Sequence, residues 1–293
     1  MTALVCLGLG YCARFYVAEF GMRFDRVIGT SRSPDKKTNA AVQMLVFDGV
    51  HPLPKLREAI SGASHLLISA APGDAGDPVL AALADDIVTA SNLQSIVYLS
   101  SLGVYGDHGG AWIDETAPTI PPHTRGAARI DAELAWQALG RQRNMTVAIL
   151  RLGGIYGPGQ NAFVRLLAGR AHRIDKPGHV SNRIHVADIA QAIDAAFVRR
   201  FDGIVNVTDG APAPPGDQIE FAAQLLSIAP PPLLSLDEAE RTLSPFLMSF
   251  YESCARVRND RLKSVLGVTL RYPDYRAGLQ ALRDDGFEAR SEI

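Results

Sequence analysis

The sequence is poor in the residues that staple, anchor or strongly charge a protein. Across 293 residues, cysteine occurs only at Cys6, Cys12 and Cys254. That odd set, with no pairing pattern and no metal-ligand spacing, excludes a disulfide scaffold and suits a reducing cytosol. No metal site is read elsewhere in the chain. Net charge is −2, and no basic run rises above its surroundings. The field that would draw the chain onto nucleic acid or an anionic membrane is missing, so neither is expected as a partner. No stretch reaches the roughly 18 uncharged apolar residues of a membrane span. The apolar opening, MTALVCLGLGYCARFYVAEF, lacks a basic segment ahead of it and is broken by glycines. It therefore does not read as a secretory leader, and the cytoplasm is the expected location.

What is present is ordinary globular material, 47% hydrophobic and 20% charged, with 26 Gly and 18 Pro. The length fits one large α/β domain, or such a domain with a smaller appendage. Short apolar runs at Ala3–Leu7, Arg26–Thr30, Met44–Phe47, His65–Ser69, Ser95–Ser100, Thr146–Leu150 and Ile204–Val207 read as strands buried on both faces. Helical patterns at Cys12–Gly21, Lys55–Ser61, Pro78–Ser91, Arg125–Leu139 and Val186–Phe197 alternate with them. The alternation predicts a doubly wound parallel sheet, a Rossmann fold. Beyond Arg151 the loops lengthen and prolines cluster, and Ile219–Leu226, Asp237–Leu243 and Phe246–Leu266 read as helices of a smaller C-terminal cap. The expected division is 1–155 with 184–210 as the dinucleotide-binding domain, and 156–183 with 211–293 as the cap.

The first strand runs into Gly8-Leu9-Gly10-Tyr11-Cys12-Ala13 and then a helix. In Gly-x-Gly-x-x-Ala the first glycine makes the tight turn and the second admits a pyrophosphate to the backbone. The alanine allows close helix–strand packing. The free N–H groups at the helix start, at Tyr11 and Cys12, would hold the phosphates. After the second strand an NAD-preferring site carries a carboxylate for the ribose 2′-hydroxyl. This chain has Gly29-Thr30-Ser31-Arg32-Ser33. Arg32 is suited to grip a 2′-phosphate, with Thr30, Ser31 and Ser33 adding hydroxyl donors, so NADP is expected in preference to NAD.

Four later stretches are Tyr98-Leu99-Ser100-Ser101-Leu102-Gly103-Val104-Tyr105-Gly106, Leu150-Arg151-Leu152-Gly153-Gly154-Ile155-Tyr156-Gly157-Pro158-Gly159, Arg183-Ile184-His185-Val186-Ala187-Asp188-Ile189-Ala190 and Val205-Asn206-Val207-Thr208-Asp209. With the glycine turn, their order and spacing resemble the extended short-chain dehydrogenase/reductase superfamily, which contains nucleotide-sugar epimerases and dehydratases. The segment Val257–Leu282 resembles that family's C-terminal tail. The resemblance implies that Asp48 lies near the adenine amino group and that Ala70 and Ala71 pass under the cofactor. It also implies that Ser101 hydrogen-bonds the reacting substrate oxygen.

The family's working pair is Tyr-x-x-x-Lys at the start of a helix, in which lysine tunes the phenol for proton transfer. Aligned on Ala132-Glu133, this chain carries Arg125 and Arg129 there, and no Tyr-x-x-x-Lys occurs anywhere. Its lysines are Lys36, Lys37, Lys55, Lys176 and Lys263. Arginine stays protonated, so Arg125 is excluded as proton donor or acceptor. Arg129 is suited to hold a nicotinamide ribose or a substrate anion. Ser101, Arg125 and Arg129 are the candidate catalytic positions, and His123, Tyr105 and Tyr156 are the nearby alternatives for proton transfer. His185 reads as a structural residue holding the next helix, while Arg183 either faces the cleft or pairs with Asp188.

The leading expectation is an NADP-dependent oxidoreductase or epimerase-like enzyme with a departed dyad, acting on a small polar or nucleotide-linked substrate. The alternative is a non-catalytic NADP-binding sensor or regulator, as loss of both Tyr and Lys would suit. A homodimer is the base-rate expectation for assembly.

Overall fold

The computed structural model describes residues 1–33 and 41–287. Seven strands form one parallel sheet: β1 (Ala3–Leu7), β2 (Arg26–Ser31), β3 (Val42–Val46), β4 (His65–Ile68), β5 (Ser95–Ser101), β6 (Thr146–Leu152) and β7 (Gly203–Val207). Their spatial order is β7-β6-β5-β4-β1-β2-β3, so the winding direction reverses beside β1. In such sheets the ligand crevice opens at the carboxyl ends of the strands, at that reversal.

Helices cover both faces, as the continuously apolar strands require. Leu4 and Cys6 of β1 point into a core shared with α1 (Tyr11–Phe20) and α6 (Val186–Val198). Val5 and Leu7 point into the opposite core, with α2 (Pro54–Ser61), α3 (Pro78–Thr89) and α4 (Thr124–Arg143). Two residues set the entry of α3 and its contact with α4. Pro78 occupies the first helical turn, and the buried Asp77 accepts from the backbone N–H groups of Val79 (2.8 Å) and Leu80 (3.1 Å). The other Asp77 oxygen accepts from Trp136 Nε1 of α4 at 2.9 Å.

A third apolar cluster gathers Tyr156, α5 (Ala162–Leu167), α7 (Pro215–Leu225) and α11 (Tyr275–Asp285), the elements expected to form the cap. The remaining helices are α8 (Leu236–Thr242), α9 (Pro245–Met248) and α10 (Asp260–Ser264). The single helix expected over Phe246–Leu266 is not formed. After α9 come a 3-10 turn at Ser249–Tyr251 and a two-residue strand, Arg256–Val257, paired in parallel with Trp112–Ile113. Backbone N–H groups there are already taken: Arg256 by the carbonyl of Ala111, Val257 by Asn182 Oδ1 and Arg258 by the carbonyl of Ile113. With these donors committed, a helical ladder cannot run through the segment. No described helix is long and apolar enough to cross a membrane.

Candidate active site

The site begins at the β1–α1 turn. Gly8 has φ +91°, and a Cβ there would sit 2.8 Å from the backbone nitrogen of Ala70, so only glycine fits the strand-to-strand approach. At Gly10 the space a Cβ would occupy is open, its nearest neighbour being Ser69 Oγ at 3.8 Å. Gly10 caps α1 without a side-chain hydrogen bond, and no acid lies in the first turn. The leading N–H groups, at Tyr11 and Cys12, have no carbonyl earlier in the helix to bond, the arrangement that suits a helix start to an anion such as a pyrophosphate. Ala13 is fully buried against the sheet, as close helix packing requires. Cys12 is buried as well, and burial pushes its thiol up to about 12, making it a packing residue. The Tyr11 hydroxyl donates to the carbonyl of Pro158 at 2.9 Å and so ties the turn to the loop after Tyr156.

At the end of β2, Thr30 is buried and its hydroxyl oxygen accepts from the Gly8 N–H at 2.8 Å. It supports the glycine turn, so its expected role as a phosphate donor is withdrawn. Ser31 Oγ accepts from Ser33 N, and Arg32 stands exposed at the mouth of the crevice. Asp48 folds back on its own loop, accepting from Val50 N (2.8 Å) and His51 N (2.7 Å) and pairing with His51 Nδ1 (3.0 Å). These bonds hold its carboxyl well below the ordinary range. Ala70 lies directly against Gly8, and Ala71 follows it, exposed.

At the carboxyl end of β5, Ser101 is half-buried and its Oγ accepts from Gly103 N at 3.1 Å, capping the 3-10 turn Leu102–Val104. The hydroxyl proton stays available to a ligand oxygen, since a hydroxyl donates once and accepts twice. The first turn of α4 sits on this segment: Gly126 packs against Pro121 and the Gly103 carbonyl. Arg125 and Arg129 follow on one face of α4. Arg125 is exposed, with its guanidinium 5.0 Å from the Phe246 ring centroid and 3.5 Å from Ser249 Oγ. Arg129 is half-buried and donates from Nη1 to the carbonyl of Leu99 at 3.2 Å.

Beneath them lies a network that sequence reasoning did not find. Ser100 Oγ donates to Glu133 at 2.5 Å, and the same carboxylate takes Arg151 Nη2 at 2.6 Å and Nε at 3.1 Å. The Arg151 guanidinium lies 4.8 Å from the Tyr105 ring centroid, and Tyr105 donates to Asn206 Oδ1 at 2.8 Å. The signal was present in Ala132-Glu133 and Leu150-Arg151, but nothing in the spacing said that the two charges meet.

Tyr105 and Tyr156 are buried, their hydroxyls bound to Asn206 and to the carbonyl of Asp274, and burial raises both phenols. Neither reaches the crevice as a proton donor. His123 Nε2 lies 3.0 Å from a Glu252 carboxylate oxygen. His185 caps α6, its Nδ1 accepting from Ala187 N at 3.1 Å, and burial drives its pKa down to about 3. The expected structural role is the one observed. Arg183 does not pair with Asp188. It is buried against the carbonyls of Ser181, Ala213 and Pro214, while Asp188 accepts from Arg271 N and Tyr272 N.

Between the cap elements lies a cavity of about 440 Å³, lined by Arg173, Lys176, His179, Tyr251, Arg256 and the start of α7. His179 is 3% exposed and stacks on Tyr251 at 5.1 Å, and both its ring nitrogens lack a partner among the described residues.

Comparison with known proteins places this geometry. Residues 77–207 match the model of the NAD dependent epimerase/dehydratase family. That match runs from Asp77, which caps α3, to Val207, the last residue of β7, a little under half of the chain. It is 30% identical over 175 residues to a 3-diazoavenalumate denitrifying reductase of Streptomyces sp, over 57% of this chain and 58% of that protein, less than two thirds of its length. A solved structure from Silicibacter pomeroyi DSS, described as a functionally unknown conserved protein, is 44% identical. Its TM-score is 0.89, over 98% of this chain and 100% of that one. The dTDP-glucose 4,6-dehydratase of Bacillus anthracis str. Ames, solved in complex with NAD, has a TM-score of 0.76 at 15% identity, over 97% of this chain and 96% of that one. That likeness is one of fold.

Proposed function

We propose that the protein is an NADP-dependent oxidoreductase acting on a small polar or nucleotide-linked substrate. The observation that carries this reading is the uncapped start of α1 beyond Gly8 and Gly10, set in a crevice that keeps Ser101 at its edge. The match to the NAD dependent epimerase/dehydratase model supports the nicotinamide cofactor, and the similarity to the reductase from Streptomyces sp supports a redox reaction. Tyr11 and Cys12 N–H groups would hold the pyrophosphate, and Arg32 the 2′-phosphate. The bound nicotinamide would supply the hydride chemistry. Ser101 donates its hydroxyl proton to the substrate oxygen and orients it. The cap cavity, whose wall sets Arg173, Lys176 and Arg256 against Asp175, Asp217 and Glu220, takes the remainder of the substrate and suits a polar one.

A second reading, a cofactor-binding sensor, draws on one observation: Arg125 and Arg129 occupy the places of the family's proton-transfer pair. Calorimetric titration with NADPH, NADP⁺, NADH and NAD⁺ separates the readings when joined to an assay of NADPH oxidation with carbonyl and nucleotide-sugar substrates. Selective NADPH binding with turnover supports the enzyme, whereas binding without any turnover favours the sensor. Arg32→Ala is expected to weaken NADPH binding roughly tenfold or more and to leave NADH binding unchanged, as loss of charge-assisted bonds to a phosphate would do. Equal losses for both cofactors would remove the 2′-phosphate assignment.

A further inference from the structure

Arg125 and Arg129 stand at the positions of the proton-transfer pair that the resemblance implies, one helical turn apart on α4. Neither meets a carboxylate among the described residues. Arg129 has the Leu99 carbonyl, and Arg125 has a hydroxyl at 3.5 Å and the face of Phe246. The one acid on the adjoining segment, Glu252, is turned toward His123. A guanidinium held against a helix face and given only neutral partners keeps its full capacity for a forked pair of bonds to an oxyanion.

The surface beside these cations is apolar in an equally unexplained way. Phe246 of α9 is 54% exposed and Phe250 of the following turn is 62% exposed, with ring centroids 5.2 Å apart in an edge-to-face pair. Contiguous exposed apolar surface is one of the features by which recognition sites are marked. The arginines also sit at the reacting end of the crevice. Arg129 bonds the carbonyl of Leu99, two residues before Ser101 on β5, so about 7 Å of strand separates the two positions. The first turn of α4, which carries Arg125, packs on the turn that Ser101 caps.

From this juxtaposition we infer that Arg125 and Arg129, with Phe246 and Phe250, form a subsite for a planar carboxylate: a substrate whose aromatic or conjugated body lies on the rings and whose carboxylate is forked by Arg125. The inference names the substrate class of the oxidoreductase site and rests on that reading. It places the substrate's negative charge beside the reacting oxygen at Ser101, whereas a nucleotide-linked substrate would carry it on a remote diphosphate.

The test is a fluorescence titration of the full chain, with and without NADPH, using 2-naphthoate, its neutral amide 2-naphthamide, and UDP. Naphthoate is expected to bind roughly tenfold or more tightly than naphthamide, because the amide cannot accept a charged fork. Arg125→Ala should remove that advantage while leaving naphthamide binding as it was. Arg125→Lys should restore only part of it, since lysine offers a point charge and no fork. Phe246→Ala should weaken both aromatic probes alike. Arg125 and Phe246 are exposed, so a thermal melt of each variant is expected to match the parent and to confirm folding. Equal affinity for naphthoate and naphthamide, or naphthoate binding untouched by Arg125→Ala, would overturn the subsite. So would UDP binding that depends on Arg125 while naphthoate fails to bind. NADPH titration of the same samples reports separately on the oxidoreductase reading: absence of NADPH binding sinks that reading even where the naphthoate arms succeed.

Discussion

At the scale of single residues, depth of burial governs the carboxyls that follow β7 and sit on α6. Asp209 ends the stretch after β7 with one oxygen accepting from Ala211 N and the other unpartnered among the described residues. Burial pushes its pKa up to about 7, against the pull of Arg183. A carboxyl with a raised folded-state pKa binds its proton more tightly when folded. The stability it confers is therefore present in acid and lost as pH rises from about 4, the unfolded value, through about 7. Asp209→Asn, neutral at every pH, is expected to flatten the fall in unfolding free energy across that window, as measured by urea denaturation at successive pH values. Asp188, raised to about 6 by burial, leaves a residual slope. An unchanged slope in the variant would mean that Asp209 ionises freely in the fold.

At the scale of elements, legibility followed length. The seven long strands and the helices between them were readable because each is apolar over four or more residues and closed by glycine, proline or a polar cap. The two- and three-residue strands, such as Arg256–Val257 on Trp112–Ile113, carry no periodicity and were not legible. That is also why the Phe246–Leu266 stretch was misread as helix: its apolar spacing suggested one, while its hydrogen bonds went to distant segments. Gly8 follows β1 and Ser101 ends β5, positions readable from the apolar runs before them. The Glu133–Arg151 pair and the Phe246–Phe250 rings were not readable, because each joins parts of the chain whose meeting no local spacing encodes. Asp77 illustrates how much a single element start can hold. Asp77→Ala removes the cap of α3 and strands the buried Trp136 N–H, for an expected loss of about 2–4 kcal/mol in urea denaturation. Asp77→Asn keeps acceptor capacity and should cost less. A loss no greater for alanine than for asparagine would show that the Trp136 contact contributes nothing.

At the scale of the whole molecule, the crevice is bordered by parts distant in sequence: the start of α1, the end of β5, the start of α4 and the loop at Pro158. A dinucleotide bound there engages only the folded arrangement, so its binding energy adds to stability by mass action. NADPH at a hundred times its dissociation constant should add about 2.7 kcal/mol and raise the melting temperature in a concentration-dependent way. NADH at the same concentration should do less, in proportion to its weaker binding. A melting temperature indifferent to all four cofactors would mean that none of them binds the folded chain.

The buried link from Ser100 through Glu133 to Arg151 has a consequence for how such a site changes over time. It fixes the rotation and height of α4 from below, from side chains that face away from the crevice. The outward-facing positions at Arg125 and Arg129 are then presented in a set frame whatever side chains they carry. The scaffold and its reactive groups are separable, and a lineage can exchange a proton-transfer pair for an anion clamp without redrawing the helix that displays it.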